Sequence, residues 1–212
     1  LDDLFFDFIA TARKLRPKVV VAENVKGLII GKARGYVKQI FQGFREAGYT
    51  CQLFLLNAAA MGVPQRRERT FFVARRTDLG WPAIRLEFSG AEVPCVEAMK
   101  GAKADGRALT PETAAMWARL RVGGSLDEVH PKKMRFSTIR LDPNVAAPTL
   151  TAHCDGELMR WDVPRYISGH EAVRLQTFPE DYDFGKEKPH YVCGMSVPPR
   201  MMQAVAGEIR RQ

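Results

Sequence analysis

The chain has 212 residues, 46% of them hydrophobic and 26% charged, which is the composition of an ordinary globular protein large enough for one big domain or two small ones. Lys and Arg outnumber Asp and Glu by 32 to 24, a formal charge of +8 that favours a polyanionic partner, though a merely basic protein has the same balance. No apolar run approaches the length that crosses a bilayer, and the four cysteines (Cys51, Cys95, Cys154, Cys193) form no C-x-x-C pair, which argues against a zinc knuckle and suits a reducing compartment.

The sequence opens on Leu1-Asp-Asp-Leu-Phe-Phe, without Met and with acid where a secretory signal carries base. The expectation is a cytoplasmic segment of a longer protein. Leu4 to Leu15 has helical spacing, with Leu4, Phe5, Phe8, Ile9, Ala12 and Leu15 on one face. Pro17 breaks that helix. Val19-Val-Val-Ala22 then reads as a parallel strand covered on both faces. A second helix, 35 to 47, carries Val37, Ile40, Phe41 and Phe44 and ends where Gly48 can take a left-handed cap. Thr50–Leu56 and Thr70–Ala74 read as strands. The order α-β-α-β-β is half of a doubly wound α/β sheet.

From about residue 76 periodicity fails, and 79 to 165 reads as a separate, irregular, mainly β domain. Thr110-Pro-Glu112 supplies an N-cap, a first-turn Pro and an early acid for a helix reaching Leu120, which Arg121-Val-Gly-Gly124 ends. Residues 135 to 152 read as short strands and turns. Ser168-Gly-His-Glu171 is a capping box opening a helix through Arg174, Leu175 and Gln176. Pro198 and Pro199 open a last helix with Met201, Met202, Val205, Ala206 and Ile209 on its apolar side.

Four segments carry the chemistry. Glu23-Asn24-Val25 sits at the end of the first strand, where open α/β sheets bind ligands. Gln65-Arg-Arg-Glu-Arg69 follows, led in by Asn57-Ala-Ala-Ala-Met-Gly-Val-Pro64. Arg174-Leu-Gln-Thr-Phe-Pro179 and Gly194-Met-Ser-Val-Pro-Pro199 come last. In this order the set resembles the later motifs of the cytosine-C5 DNA methyltransferases, over nearly the whole chain outside 79 to 140. The resemblance implies a partial S-adenosylmethionine-dependent, Rossmann-like methyltransferase domain (1 to 78 and 166 to 212) with a target-recognition domain at 79 to 165.

The resemblance also implies site roles. Glu23 would hold N3 and the exocyclic amine of a cytosine flipped out of duplex DNA. The competing reading is a structural acid capping Lys26 or a loop amide. Asn24 is read as structural. Arg69 would reach the cytosine O2, and Arg67, on the same face of an extended run, would support a phosphate or the catalytic loop. A solvated charge run is the plainer alternative. Met195, Ser196 and Val197 would line the S-adenosylmethionine pocket. Position 195 departs from the family, which commonly has Asn there: a methionine packs against the cofactor but lacks the amide's polar contacts. Arg174-Leu-Gln-Thr-Phe-Pro179 would organise the recognition domain without chemistry of its own. In that domain Arg121, Lys132, Lys133, Arg135, Arg140 and Arg160 are candidate DNA contacts.

Pro94-Cys95 has the dipeptide of the family's nucleophile but follows Gln65–Arg69, whereas the family places it before Glu-Asn-Val. His153-Cys154 would point to opposite sides of a strand. Both are expected to be ordinary. The family's Gly-rich first motif and its Pro-Cys loop have no counterpart in these residues. The expectations are therefore an isolated chain without activity, association through an open strand edge with the missing N-terminal half or with itself, and a nucleoid-associated bacterial parent. A non-catalytic DNA-binding module, a subunit of a split enzyme and a tRNA methyltransferase are the alternatives.

Overall fold

The computed structural model describes residues 4–30 and 34–212; the acidic start at Asp2 and Asp3 lies outside them. The chain forms two compact units. One comprises Leu1–Asn57, Glu68–Glu87 and Gly207–Gln212, the other Ala58–Arg67 and Phe88–Ala206. Compactness thus groups 166–206 with 88–165, a different division from the sequence-based one.

In the first unit α1 (Leu4–Leu15) leads into β1 (Val19–Val25), α2 (Arg34–Glu46), β2 (Tyr49–Asn57) and β3 (Glu68–Arg76). The strand order is β1-β3-β2, and β3 runs antiparallel to both neighbours. The expectation of a parallel pairing for β1 is corrected here. β1 and β2 do point the same way, as a helical crossover between them requires, but β3 lies between them. An apolar run fixes burial and not the direction of the neighbour. Nor is β1 covered on both faces, since of its seven residues only Val20 is fully buried.

The register decides which side chains face the helices. Val20 opposes Ala74, Ala22 opposes Phe72, and on the other flank Cys51 and Leu53 oppose the same two residues. All these pack with Ile9, Ala12, Ile40 and Phe44 of α1 and α2. Phe5 meets Phe72 edge-on at 5.2 Å. Burying side chains such as Ile40, Phe44 and Phe72 contributes about 1.5–3 kcal/mol each. Tyr49 anchors the turn after α1 by donating to the Pro17 carbonyl at 2.8 Å. Gly48 closes α2 at φ 85°, with open space where a Cβ would stand, so conformation and not crowding selects glycine there. The apolar stripe of α1 is only half used: Ile9 and Ala12 are buried, whereas Leu4, Phe8 and Leu15 are exposed.

The second unit contains α3 (Cys95–Met99), α4 (Pro111–Arg119), β4 (Ile139–Arg140), β5 (Leu158–Met159), α5 (Gly169–Gln176) and α6 (Pro189–Met195). The unit boundary falls inside α7 (Pro199–Arg211). β4 and β5 pair in parallel over two residues each, so loops and short helices supply most of residues 88–165. Both expected helix starts form. The Thr110 hydroxyl accepts from the Thr113 amide, and Ser168 and Glu171 make the reciprocal capping box. Glu171 does more than cap. Fully buried, it accepts from Arg160 at 2.6 Å and from Arg165 at 2.7 and 2.8 Å. On α7 Met201 and Val205 are buried as expected, but Ala206 is exposed.

Candidate functional site

β1 carries Glu23 near its C-terminal end, and β3 begins at Glu68, which puts Arg69 opposite Val25. Glu23 opposes Phe71, so Glu23 and Arg69 are diagonal neighbours on one sheet face. Their side chains meet, with Arg69 Nε 2.9 Å from Glu23 Oε1, and both are largely but not wholly covered. Nη1 of Arg69 donates to the Glu68 carbonyl at 2.8 Å. Burial lowers the Arg69 pKa and the Glu23 charge opposes that shift. Lys26 takes Glu68 as its partner at 2.7 Å. Asn24 is local, its Oδ1 accepting from the Val25 amide. Glu23 lines a cavity of about 690 Å³ with Val21, Val25, Leu28, Tyr36 and Phe8. The first unit thus holds a carboxylate beside a guanidinium at the rim of an open cavity.

Arg67 belongs to the other unit and does something else. It is 0% exposed, and its Nη1 and Nη2 donate to the carbonyls of Leu150 and Gly194, each at 2.7 Å. No phosphate reaches a side chain so enclosed, and the expected phosphate role is corrected to a structural one. β3 starts only at Glu68, so the alternation that would place Arg67 and Arg69 on one face does not extend back to Arg67.

A chain of amides runs beside Arg67. Gln65 accepts from the Leu150 amide at 2.9 Å and donates to Gln176 at 2.5 Å. Gln176 donates onward to the Ser196 carbonyl at 2.9 Å and to its hydroxyl at 3.2 Å. Arg67, Gln65 and Gln176 therefore fix the Gly194–Val197 turn against residues 150–151. The approach is close enough that a Cβ on Gly194 would stand 2.2 Å from the Thr151 carbonyl. Gln176 lies in Arg174–Pro179, the segment expected to have an organising role without chemistry of its own. Its signal was present, because a Gln amid the buried residues of a short helix requires hydrogen-bond partners. Beyond this network Met195 projects with 65% exposure, next to half-buried Ser196 and Val197.

The basic candidates separate into two kinds. Arg140 is corrected from a DNA contact to an internal tie: it lies 3.9 Å over the Trp117 ring and donates to the carbonyls of Trp117, Leu120 and Trp161. Arg160 is likewise committed to Asp162 and Glu171. Arg121 is exposed but forked onto Glu128 at 3.0 and 2.9 Å. Lys132, Lys133 and Arg135 stand exposed on one loop, although Arg135 Nη1 donates to the Thr113 hydroxyl at 3.1 Å and Lys133 Nζ to the Glu128 carbonyl at 3.2 Å.

Desolvation pushes the thiols of Cys51, Cys95, Cys154 and Cys193 up to about 12. None is a thiolate near neutral pH, and Cys95 donates to the Asp142 carbonyl. Neither Cys95 nor the His153-Cys154 pair is an activated nucleophile. Among the described residues no helix is long and apolar enough to cross a membrane, and no cluster of His, Cys, Asp and Glu is arranged to hold a metal.

The sequence profile of the C-5 cytosine-specific DNA methylases matches residues 2–103 and 104–211. The Type II methyltransferase M.NgoFVII of Neisseria gonorrhoeae is 28% identical over 98% of this chain and 62% of its own length. M.AplI of Arthrospira platensis is 29% identical over 98% of the chain and 60% of its own. The chain thus spans about three fifths of the length of these relatives. Among solved structures, a putative DNA modification methyltransferase encoded within an E. coli prophage superposes with a TM-score of 0.78 at 19% identity, over 98% of this chain and 74% of that one. Spodoptera frugiperda DNMT2 gives 0.69 at 18% identity, over 99% and 74%. The fold is the α/β fold of S-adenosylmethionine-dependent methyltransferases, and the chain belongs to the C-5 cytosine-specific DNA methylase family.

Proposed function

We propose that this chain is the C-terminal part of a DNA (cytosine-5-)-methyltransferase, whose reaction moves a methyl group from S-adenosylmethionine to C5 of a cytosine flipped out of duplex DNA. The observation that carries this reading is the Glu23–Arg69 pair at the mouth of β1, 2.9 Å apart beside an open cavity. A glutamic acid there donates to cytosine N3 and accepts from the exocyclic amine. Thymine presents N3–H and O4 instead and reverses both bonds. Drawing electron density from N3 makes C6 open to attack. Arg69 Nη1 donates to the Glu68 carbonyl and its Nε lies in ion-pair contact with Glu23, and a guanidinium has five N–H donors, so a further one serves cytosine O2. Arg69 also keeps the Glu23 carboxyl from turning away. Such preorganised polar groups act most strongly where water is excluded.

The Gly194–Val197 turn fits a contact with the apolar part of the cofactor. The exposed Met195 thioether projects from a turn held by Arg67 and Gln176, while both Ser196 oxygens already accept from Gln176. Met195 and Val197 would touch the cofactor, and Ser196 would set the shape of the turn. When bound, S-adenosylmethionine supplies an electrophilic methyl group. Residues 79–165 would serve as the target-recognition domain, with Lys132, Lys133 and Arg135 on phosphates. The thiolate that attacks C6 comes from elsewhere in the parent protein, because burial keeps all four thiols here protonated. The isolated chain is accordingly inactive. A further partner is the remainder of the catalytic domain, or a second copy, covering Leu4, Phe8 and Val25.

The test is Glu23→Gln in the full protein. Removing the acid that donates to N3 lowers kcat by about 10²–10⁴ with near-unchanged affinity for duplex DNA. Unchanged turnover, or methyl transfer to tRNA in preference to DNA, would sink the reading. A binding module without catalysis would show no wild-type turnover at all.

A further inference from the structure

Between the short turn of helix at Leu126–Glu128 and β4 lies a loop that turns apolar side chains out to solvent. It reads His130-Pro-Lys-Lys-Met-Arg-Phe136, with three permanent positive charges and no acid. Its backbone is pinned. The Lys133 amide donates to the His130 carbonyl at 2.9 Å and the Thr138 amide to the Arg135 carbonyl at 2.9 Å. The Lys132 amide donates to His130 Nδ1 at 3.1 Å, and the Ser125 hydroxyl to the Phe136 carbonyl at 2.6 Å. Two of its residues, Lys133 and Arg135, are left-handed at φ 49° and 64°. Side chains with a Cβ resist that conformation.

This strained frame puts Phe136 in solvent at 78% exposure and Met134 at 55%. Exposing them removes no apolar surface from water, so the two side chains add no hydrophobic stabilisation to the chain. The nearest acid in sequence, Glu128, is already forked by Arg121 and takes Lys133 Nζ on its carbonyl. The charge left around the two apolar tips is cationic. A rigid aromatic tip among cations complements a ligand with flat apolar faces between anions, which describes stacked bases between phosphates.

We propose that Phe136 is a base-stacking finger, inserted with Met134 at its side between bases of duplex DNA while Lys132, Lys133 and Arg135 hold the flanking phosphates. The inference rests on the reading of residues 79–165 as a DNA-binding domain and adds a contact that reading did not contain. Stacking on an aromatic ring accepts any base, so Phe136 contributes affinity and local unstacking, and hydrogen-bond readout lies with other residues. The flexible thioether of Met134 fills the irregular space beside the opened step.

The test uses the full protein and fluorescent duplexes carrying 2-aminopurine across the bound site. Phe136→Ala weakens binding about 10- to 100-fold. It also abolishes the fluorescence rise at probe positions away from the flipped cytosine and leaves the salt dependence as it was. Phe136→Trp retains both affinity and signal. Lys132→Ala with Lys133→Ala lowers the slope of log affinity against log salt, yet keeps the signal at saturation. Because Phe136 is exposed, Phe136→Ala leaves the circular dichroism melt in place. Wild-type affinity and unstacking in Phe136→Ala, or failure of Phe136→Trp alongside it, overturns the finger alone. Wild-type protein that binds no duplex DNA, or that loses only self-association in Phe136→Ala, overturns the finger, and in the former case the DNA-binding reading as well.

Discussion

Arg67 offers the sharpest test of how the second unit is held together. Its guanidinium is fully buried and its two terminal nitrogens each meet a backbone carbonyl at 2.7 Å, one on Leu150 and one on Gly194. Hydrogen bonds from a charged donor contribute about 1.5–3 kcal/mol each, so the two together are worth about 3–6 kcal/mol. Arg67→Ala removes both, strands the buried Leu150 carbonyl and the half-buried Gly194 carbonyl, and opens a cavity. Arg67→Met keeps the volume and strands the same carbonyls, which separates the polar loss from the packing loss. Arg67→Lys retains the charge, but an ammonium on a single stem reaches both carbonyls poorly, and about half of the loss is expected.

Trp117 and Trp161 lie in the second unit and Trp81 in the first, so tryptophan emission during urea unfolding reports mainly on the right place. With a slope of about 2–3 kcal/mol per molar urea, the upper part of the usual range as suits a chain of this size, a loss of about 3–6 kcal/mol moves the midpoint down by roughly 1–3 M, a large part of ordinary stability. The expected order of midpoints is wild type, Lys, Met, Ala. A stability for Arg67→Met within about 0.5 kcal/mol of wild type would refute the reasoning, because a buried and a half-buried carbonyl cannot both lose charged donors at no cost.

Glu171 gives a prediction about acid. Burial alone would raise its pKa, but donation from Arg165, from the Ser168 amide and from Arg160 outweighs that, and the folded value lies below the ordinary one. Its contribution is therefore complete above the unfolded glutamate value of about 4.3 and is lost as pH falls through the lower folded value. Glu171→Gln should cost about 3–5 kcal/mol near neutrality by leaving Arg160 and Arg165 without their shared partner. The gap from wild type should close below about pH 4, and a gap independent of pH would reject the assignment. The open stripe of α1 predicts association of the isolated chain: Leu4 and Phe8 are exposed beside the edge strand β1. Light scattering should show a mass rising with concentration, reduced by Leu4→Glu with Phe8→Lys, and a strictly monomeric wild-type chain would refute it.

What the sequence disclosed, and what it withheld, follows from how local each feature is. Helix starts were legible because a cap and its partner stand three residues apart, as at Thr110 with Thr113 and at Ser168 with Glu171. The Glu23–Arg69 pair was legible because the order of the motifs identified both ends before any geometry was known. The direction of β1's neighbour was not, since nothing within Val19–Val25 records which way β3 runs past it. The arginines show the same limit most plainly. Arg67 and Arg69 are identical side chains two residues apart in one motif, yet the first is locked onto two carbonyls and the second faces a carboxylate at a cavity's rim. Arg140 and Arg135 are five apart in one basic stretch, yet Arg140 lies over Trp117 with its donors spent on three carbonyls, whereas Arg135 gives one N–H to the Thr113 hydroxyl and otherwise stands exposed. Charge is written in the sequence, but its availability is decided by distant partners. For that reason a basic residue beside an exposed aromatic, as at Arg135 and Phe136, is a better guide to a nucleic-acid surface than the excess of base over acid from which the composition argument begins.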